Sequence, residues 1–125
     1  MKKYIDWLKK NKITEVECMI PDNSGIPRGK ILPTSKFLNA VSNNGLRLPL
    51  GLFKMSVSRS VSYSIDDQLL NPTDGDFILK PDFTTLRKVP WYTEPTAQII
   101  CDAVDSKGVE IEVYSRGILK RVLNL

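Results

Sequence analysis

Histidine is absent from this 125-residue sequence, and cysteine occurs only twice. Without histidine the chain lacks the commonest general base and the usual partner of a serine or cysteine nucleophile. Cys18 and Cys101 cannot form a tetrahedral metal site by themselves. Both lie in apolar, strand-like runs, so we expect buried, reduced thiols rather than a zinc site or a disulfide.

Long apolar runs are also missing. No stretch approaches the ~20 apolar residues that a membrane-spanning helix needs. The N-terminus, MKKYIDWLKKNK, begins with charge, but no apolar segment or small-residue cleavage site follows, so it is not a secretory signal. These features predict a cytoplasmic protein without a membrane partner. The length and the 42% hydrophobic content are typical of one globular domain with a modest core.

Positive charge is confined to one end of the chain. Residues 1–12 hold five lysines and one aspartate, which accounts for the whole net charge of +4, while the other residues carry 13 basic and 13 acidic groups. Nucleic-acid binding usually needs a basic stripe across a folded face. We therefore expect the lysines to lie on a solvated helix face and expect no nucleic-acid partner. A small basic nucleic-acid binder is the weakest of three hypotheses.

No glycine-rich phosphate loop is present. Such a loop needs closely spaced glycines that open a helix, whereas the nearest pair, Gly25 and Gly29, precedes a strand-like run. Arg28 and Lys30 flank Gly29 and could hold an anion. Basic residues at a strand exit are more often solvated, so this cluster alone does not predict a phosphate site.

Neighbouring carboxylates occur twice, as Asp66-Asp67 and as Asp74 and Asp76 around Gly75. Adjacent acids can bind a hard cation, but aspartates beside glycine at strand starts are far more often turn formers. We expect no metal site here. The aromatic pair Trp91-Tyr92 lies between two prolines, and we expect it to cover the end of a sheet rather than to form a stacking platform.

The hydrophobic pattern predicts an ordered set of elements. These are a helix over 2–10, a strand over 15–20, a turn over 21–25, a return strand in IPRGKIL, a helix capped by Thr34 or Ser35 and closed by NNG, a possible strand over 52–57 within an irregular stretch from 46 to 75, strands in DFILKPDFTTLRKVPW and TAQIICDAVDSKG, and a terminal helix in SRGILKRVLNL.

This order predicts an α+β fold of the β-grasp type, a ubiquitin-like roll whose mixed sheet has one covering helix plus terminal helices. The last helix places Ile118, Leu119, Val122 and Leu123 on one side, and its apolar stripe continues to Leu125. A helix that stopped there would leave its last carbonyls uncapped. We therefore expect the sequence to be the first part of a longer chain.

Three segments carry a resemblance to a known family. VECMIPDNSGIPRGKILP, then DGDFILKPDFTTLRKVPWYTEPTAQIICD, then VYSRGILKRV resemble the N-terminal β-grasp domain of the glutamine synthetase family. Within that family, the sequence most resembles the gamma-glutamylputrescine (gamma-glutamyl-polyamine) synthetase-like members. The resemblance covers nearly the whole chain in the right order. It implies that residues 1–112 form the β-grasp domain and that 113–125 begin a helix leading to a missing C-terminal catalytic domain.

The resemblance also implies an activity for the full-length protein. Family enzymes use ATP and Mg²⁺ (or Mn²⁺) to phosphorylate the side-chain carboxylate of glutamate, and ammonia or an amine then attacks. The catalytic residues and the ligands of ATP and metal lie almost entirely in the C-terminal domain, so this fragment is expected to bind no cofactor and to be inactive alone. Expected partners are C-terminal domains of the same and neighbouring subunits in a homo-oligomeric ring.

One possible site residue follows from the resemblance. The family's β-grasp domain lends a loop to the neighbouring subunit's active site, and that loop corresponds here to residues 50–66. Family members often place an aspartate there to hold an ammonium ion, and Ser56 is the nearest match by spacing from GLF. A serine keeps a hydrogen-bonding oxygen but loses the charge, which leaves amine substrates, or loss of activity, open.

A self-contained β-grasp protein-interaction module without catalysis is the alternative hypothesis. It predicts a stable monomer that captures a protein partner through its sheet.

Overall fold

The structure, a computed structural model, describes residues 1–58 and 75–124. The helices are α1 (Lys2–Lys10), α2 (Thr34–Ser42) and α3 (Ser115–Leu123), with short 3₁₀ helices at Leu50–Lys54 and Phe83–Thr85. The strands are β1 (Glu15–Pro21), β2 (Pro27–Pro33), β3 (Arg47–Pro49), β4 (Asp76–Pro81), β5 (Arg87–Lys88) and β6 (Thr96–Val104).

The described strands form one mixed sheet in the order β2-β1-β6-β4-β3. β1 and β6 are parallel and central, and β2 pairs antiparallel with β1 at one edge. The other side of β6 pairs with β5 near its start and with β4 further along. A parallel central pair, a β1–β2 hairpin and a following helix confirm the predicted α+β, β-grasp architecture.

The core lies on one side of this sheet. Successive side chains of a strand alternate between its two faces, and on β1 Val16, Cys18 and Ile20 are all fully buried. Ala97, Ile99, Cys101 and Ala103 of β6 continue the same layer. α2 covers this layer with Phe37, and α1 contributes Leu8. The predicted pattern of one covering helix with terminal helices is therefore correct.

Two local predictions are wrong. Neither Thr34 nor Ser35 caps α2: the capping position is Pro33, without a side-chain hydrogen bond. The Thr34 hydroxyl instead donates to the Ile13 carbonyl at 2.8 Å, which ties the start of α2 to the chain before β1.

The expected strand over 52–57 is also wrong, because a 3₁₀ helix occupies Leu50–Lys54 and the short strand β3 precedes it. Leu52 and Phe53 are consecutive and both buried. A strand cannot direct two consecutive side chains into one core, because they point to opposite faces; a helical turn can.

Within the described ranges, none of the helices is long and apolar enough to cross a membrane.

Candidate functional site

The entrance to the long loop is anchored in the core. Leu52 and Phe53 are 6% and 4% exposed, and the ring centroid of Phe53 lies 5.0 Å from that of Phe77. The backbone N–H of Leu50 donates to the Gly75 carbonyl at 3.2 Å, which joins the two sides of the loop at its base. Buried side chains therefore hold the segment that leads to Ser56.

Ser56 follows this anchor by three residues and is exposed. Its hydroxyl oxygen lies 2.9 Å from that of Ser58, and either hydroxyl can donate. A hydroxyl can orient an amine through one hydrogen bond, but it cannot balance a cationic charge. Asp66, Asp67 and the remainder of the expected loop lie outside the described residues.

The hairpin turn before β2 is organised by a buried aspartate. Asp22 is 1% exposed. One carboxylate oxygen accepts from the backbone N–H groups of Ser24 and Ile26, both at 2.9 Å, and the other accepts from Arg28 Nε at 2.9 Å. Burial alone would raise the pKa of Asp22, but these hydrogen bonds outweigh burial and hold that pKa below its usual value. The turn therefore carries a buried, ionised carboxylate.

The same turn contacts the loop entrance. The Asn23 side-chain amide donates to the Phe53 carbonyl at 2.9 Å. The hairpin and the segment at Phe53 are therefore directly connected.

Arg28 and Lys30 do not form a phosphate grip. In an antiparallel pair, directly opposed residues project from the same face. Arg28 lies opposite Ile20 and Lys30 opposite Cys18, so both basic side chains leave β2 on the core side of the sheet. Arg28 forms an ion pair with Asp22, and 15% of the Arg28 side chain is exposed. Its Nη2 atom is buried and has no hydrogen-bond partner within the described ranges 1–58 and 75–124.

The carboxylates do not form a metal site in the part of the chain that the structure describes, where no group of three histidine, cysteine, aspartate or glutamate residues lies together. Asp76 begins β4 and is exposed opposite Pro49. Asp74 falls outside the described residues.

Trp91 and Tyr92 do not cover the sheet end as expected. They are 66% and 40% exposed, and their ring centroids lie 6.3 Å apart with the planes tilted by 57°. They follow β5 in a segment that includes Pro90 and Pro95. Aromatic rings are enriched where proteins contact a ligand or a partner, so this exposed pair is a candidate contact surface.

A cluster of ion pairs holds α3 against the sheet, and no local sequence signal indicated it. Arg116 donates to Asp82 at 2.6 Å and also to Asp102, while Lys120 donates to Asp102 at 2.7 Å. The Tyr114 hydroxyl donates to the Cys101 carbonyl at 2.8 Å just before the helix. The partners of Arg116 lie 34 and 14 residues away in the sequence, so only the fold brings them together.

The two thiols behave as the sequence predicts. Cys18 and Cys101 are both free and fully buried on neighbouring strands. The neighbouring Cys18 thiol and burial raise the pKa of Cys101 far above its usual value. A thiol that stays protonated is a poor nucleophile and metal ligand, so the pair is part of the core packing.

Sequence comparisons place these features beside known proteins. No protein-family profile matches the chain. It is 27% identical over 118 residues to glutamate–isopropylamine ligase from a Pseudomonas species, covering 94% of this chain and 26% of that protein. It is 27% identical over 117 residues to lengsin from Homo sapiens, covering 94% of this chain and 22% of that protein.

A shorter segment is more similar to another protein. Over 52 residues, 40% of this chain and 12% of that protein, it is 46% identical to glutamine synthetase from Methanococcus voltae. The solved structure of apo GmaS without ligand shares the fold, with a TM-score of 0.76 and 19% identity over 99% of this chain and 26% of that one. The chain spans about a quarter or less of the length of these relatives.

Proposed function

The chain is a relative of the N-terminal domain of the glutamine synthetase family, and on that premise we propose that it is the N-terminal domain of an ATP-dependent ligase. The ligase joins ammonia or an amine to the gamma-carboxylate of glutamate. Residues 1–112 form the β-grasp domain, and 113–125 begin the helix that leads to the C-terminal catalytic domain. The similarity over 94% of the chain to a named glutamate–amine ligase carries this proposal.

In this proposal the loop that begins after Phe53 reaches a neighbouring subunit's active site in a homo-oligomeric ring. The buried anchor at Phe53 and the Asn23 hydrogen bond to its carbonyl support this role, because they fix where the loop leaves the domain. Ser56 then contacts the amine. Since serine carries no charge, the contact favours an amine that is oriented by hydrogen bonding over an ammonium ion held by charge.

ATP and Mg²⁺ (or Mn²⁺) belong to the C-terminal domain in this proposal. The described residues do not fit either group, because they hold no cluster of metal-ligating side chains. Gly25 precedes β2 and Gly29 lies within it, so neither glycine opens a helix. In this proposal the N-terminal domain positions other parts of the enzyme. It provides a rigid base, holds the loop that reaches the neighbouring active site, and begins the helix that leads to the catalytic domain.

The isolated chain provides the first test. We expect no phosphate release from ATP in the presence of Mg²⁺, glutamate and either ammonium or a panel of alkylamines. Release above the rate without protein would contradict the proposed division of labour. The coding sequence downstream of codon 125 gives a second test, since an in-frame catalytic domain is expected and an immediate stop codon would contradict it.

A chimera tests the role of the loop. This chain replaces the matched N-terminal region of the Pseudomonas glutamate–isopropylamine ligase, and assembly is measured by light scattering before amine-dependent phosphate release. We expect Ser56→Ala to raise the KM for the amine several-fold while leaving the KM for ATP unchanged. Ser42→Ala, at the exposed end of α2, is the control. Equal amine KM values for the parent and the Ser56 variant would contradict the assigned contact.

A protein-interaction module without catalysis is the second candidate, and the surface of α3 favours it. Ile118, Leu119, Val122 and Leu123 are 45–75% exposed, a stripe suited to a protein partner. The candidate predicts a stable monomer that binds a partner, and the exposed stripe of α3 replaces the sheet, which the sequence alone suggested, as the binding surface. An active ligase assembled from the full-length protein would exclude it.

A further inference from the structure

Four side chains form a row across the outer face of the sheet, the face opposite the core. Glu17 of β1 lies opposite Ile31 of β2 and is paired with Gln98 of β6, which is paired in turn with Arg87 of β5. Gln98 is 6% exposed. Glu17 is half-buried. The three polar members of this row, Glu17, Gln98 and Arg87, are joined by hydrogen bonds, and Ile31 completes the row on β2.

This row fixes the Glu17 carboxylate in place. Arg87 donates to Gln98 Oε1 from Nε at 2.9 Å and also from Nη2. Since a guanidinium can only donate, Arg87 sets the orientation of the amide, and Gln98 Nε2 then donates to Glu17 Oε2 at 2.8 Å. The other oxygen of Glu17 has no hydrogen-bond or ion-pair partner among residues 1–58 and 75–124.

A hollow of about 470 Å³ opens beside this carboxylate. It is lined by Glu17, Met19, Gly29, Ile31, Trp91 and Tyr92, with Gln98 at its floor. Gly29 lies opposite Met19 and contributes only backbone atoms to the lining, because it has no side chain. Trp91 and Tyr92 are exposed beside it, so their ring faces are available to a bound group.

The charge of the hollow is set by the strand register. Arg28 and Lys30 line it, but their side chains leave β2 on the core side, opposite Ile20 and Cys18. Arg87 is separated from Glu17 by the Gln98 amide. Among the lining side chains other than Arg28 and Lys30, the Glu17 carboxylate is the only charged group, and the Gln98 amide, the Trp91 and Tyr92 rings and apolar groups make up the rest.

We infer that this hollow is a binding site for an organic cation, an alkylammonium or guanidinium group. The Glu17 carboxylate supplies a charge-assisted hydrogen bond, and the Trp91 and Tyr92 rings supply cation–π contacts. The negative charge of Glu17 would repel an anion. The cation comes either from a free amine or from a lysine or arginine side chain of another protein. This site is independent of the ligase activity proposed above, and either can fail without the other.

Nuclear magnetic resonance on the ¹⁵N-labelled chain tests the site. The free-amine probe is n-butylammonium chloride, and the side-chain probe is Nα-acetyl-lysine amide; sodium chloride at equal ionic strength is the reference. We expect saturable shifts of the Trp91 indole N–H and the Gln98 side-chain amide. The Trp7 indole does not line the hollow, and its signal stays unchanged.

Matched variants make the test specific. Glu17→Gln keeps an acceptor for Gln98 but removes the charge, and we expect binding to weaken at least tenfold. Glu15→Gln, two residues earlier on the same face of β1 and outside the hollow, keeps full binding. Trp91→Ala removes an exposed ring without disturbing the core and weakens binding several-fold.

The outcomes separate the sources of the cation. Saturation by n-butylammonium alone indicates a free amine, whereas saturation by the lysine amide, alone or with the amine, indicates that the hollow accepts a side chain. The inference is overturned if neither probe gives a saturable shift, or if Glu17→Gln and Trp91→Ala both bind as tightly as the parent chain.

Discussion

At the residue scale, Asp22 joins three parts of the hairpin through one carboxylate. It accepts hydrogen bonds from two backbone N–H groups of the turn and forms an ion pair with Arg28 on β2. We expect Asp22→Ala to lower the free energy of unfolding by about 3 kcal/mol, because removing one partner leaves a buried guanidinium without its counter-charge. Urea denaturation measures the change.

The control for Asp22 separates its charge from its turn hydrogen bonds. Asp22→Asn retains an oxygen for the Ser24 and Ile26 N–H groups but loses the ion pair, so its loss of stability is smaller than that of Asp22→Ala. In the Arg28→Met background, the Asp22→Asn substitution costs less than in the parent, because the pair is already broken. Equal costs in both backgrounds would refute the coupling.

Gly29 is required by the closeness of β1 and β2. A Cβ atom added at Gly29 would lie 1.8 Å from the Cys18 carbonyl oxygen, and that atom belongs to the backbone. We expect Gly29→Ala to displace β2 and to lower the free energy of unfolding by about 2–3 kcal/mol, in the range of overpacking. Gly51→Ala is the control, because a Cβ there meets nothing within 4 Å. Equal unfolding midpoints for the two variants would show that the strands can separate freely.

At the scale of elements, α3 depends on Asp82 for its attachment to the sheet. The Thr84 hydroxyl and then Arg116 hold the pKa of Asp82 at about 2, below its ordinary value of 3.8. A carboxyl whose folded-state pKa is lowered stabilises the fold above its unfolded pKa and loses that contribution as the pH falls. The contribution is therefore complete above about pH 4 and disappears toward pH 2.

We accordingly expect the free energy of unfolding to fall between pH 4 and pH 2 and to fall less in Asp82→Asn. Urea denaturation across this range measures the difference. Asp22, whose pKa is also lowered, leaves some acid sensitivity in the variant. Asp6→Asn on the exposed side of α1 is the control and keeps the parent's profile. An unchanged profile for Asp82→Asn would show that the ion pair between Asp82 and Arg116 does not stabilise the fold.

The elements show which features a sequence can specify. Alternation at Val16, Cys18 and Ile20 predicted β1 correctly, since every second side chain of a half-buried strand faces the core and is apolar. The 3₁₀ helix at Leu50–Lys54 was missed, because two adjacent apolar residues fit a strand or a helical turn equally well. The cap of α2 was missed because Thr34 is used by the distant Ile13 carbonyl.

At the scale of the molecule, topology was predictable and the side-chain clusters were not. The order of hairpin, helix and later strands restricts the sheet to few arrangements, and the resemblance agreed with it. The row from Glu17 to Arg87 joins residues 81 and 11 positions apart, and its parts are individually ordinary. Such clusters depend on the strand register, which cannot be read from the sequence until the pairing of the strands is known. Ser56 stays a prediction, because its proposed partners lie in another subunit.

The distribution of charge over the whole molecule gives the last prediction. α1 turns Leu8 inward and stacks Tyr4 on Phe83 at 4.7 Å, so its lysines all face solvent. They form a small basic patch on an otherwise neutral body. Because nucleic-acid affinity grows with the number of phosphates contacted, we expect no retardation of duplex DNA or single-stranded RNA at ~50 mM salt in a mobility-shift assay. Salt-sensitive retardation that disappears in a Lys9→Gln, Lys10→Gln double variant would instead identify α1 as a nucleic-acid contact.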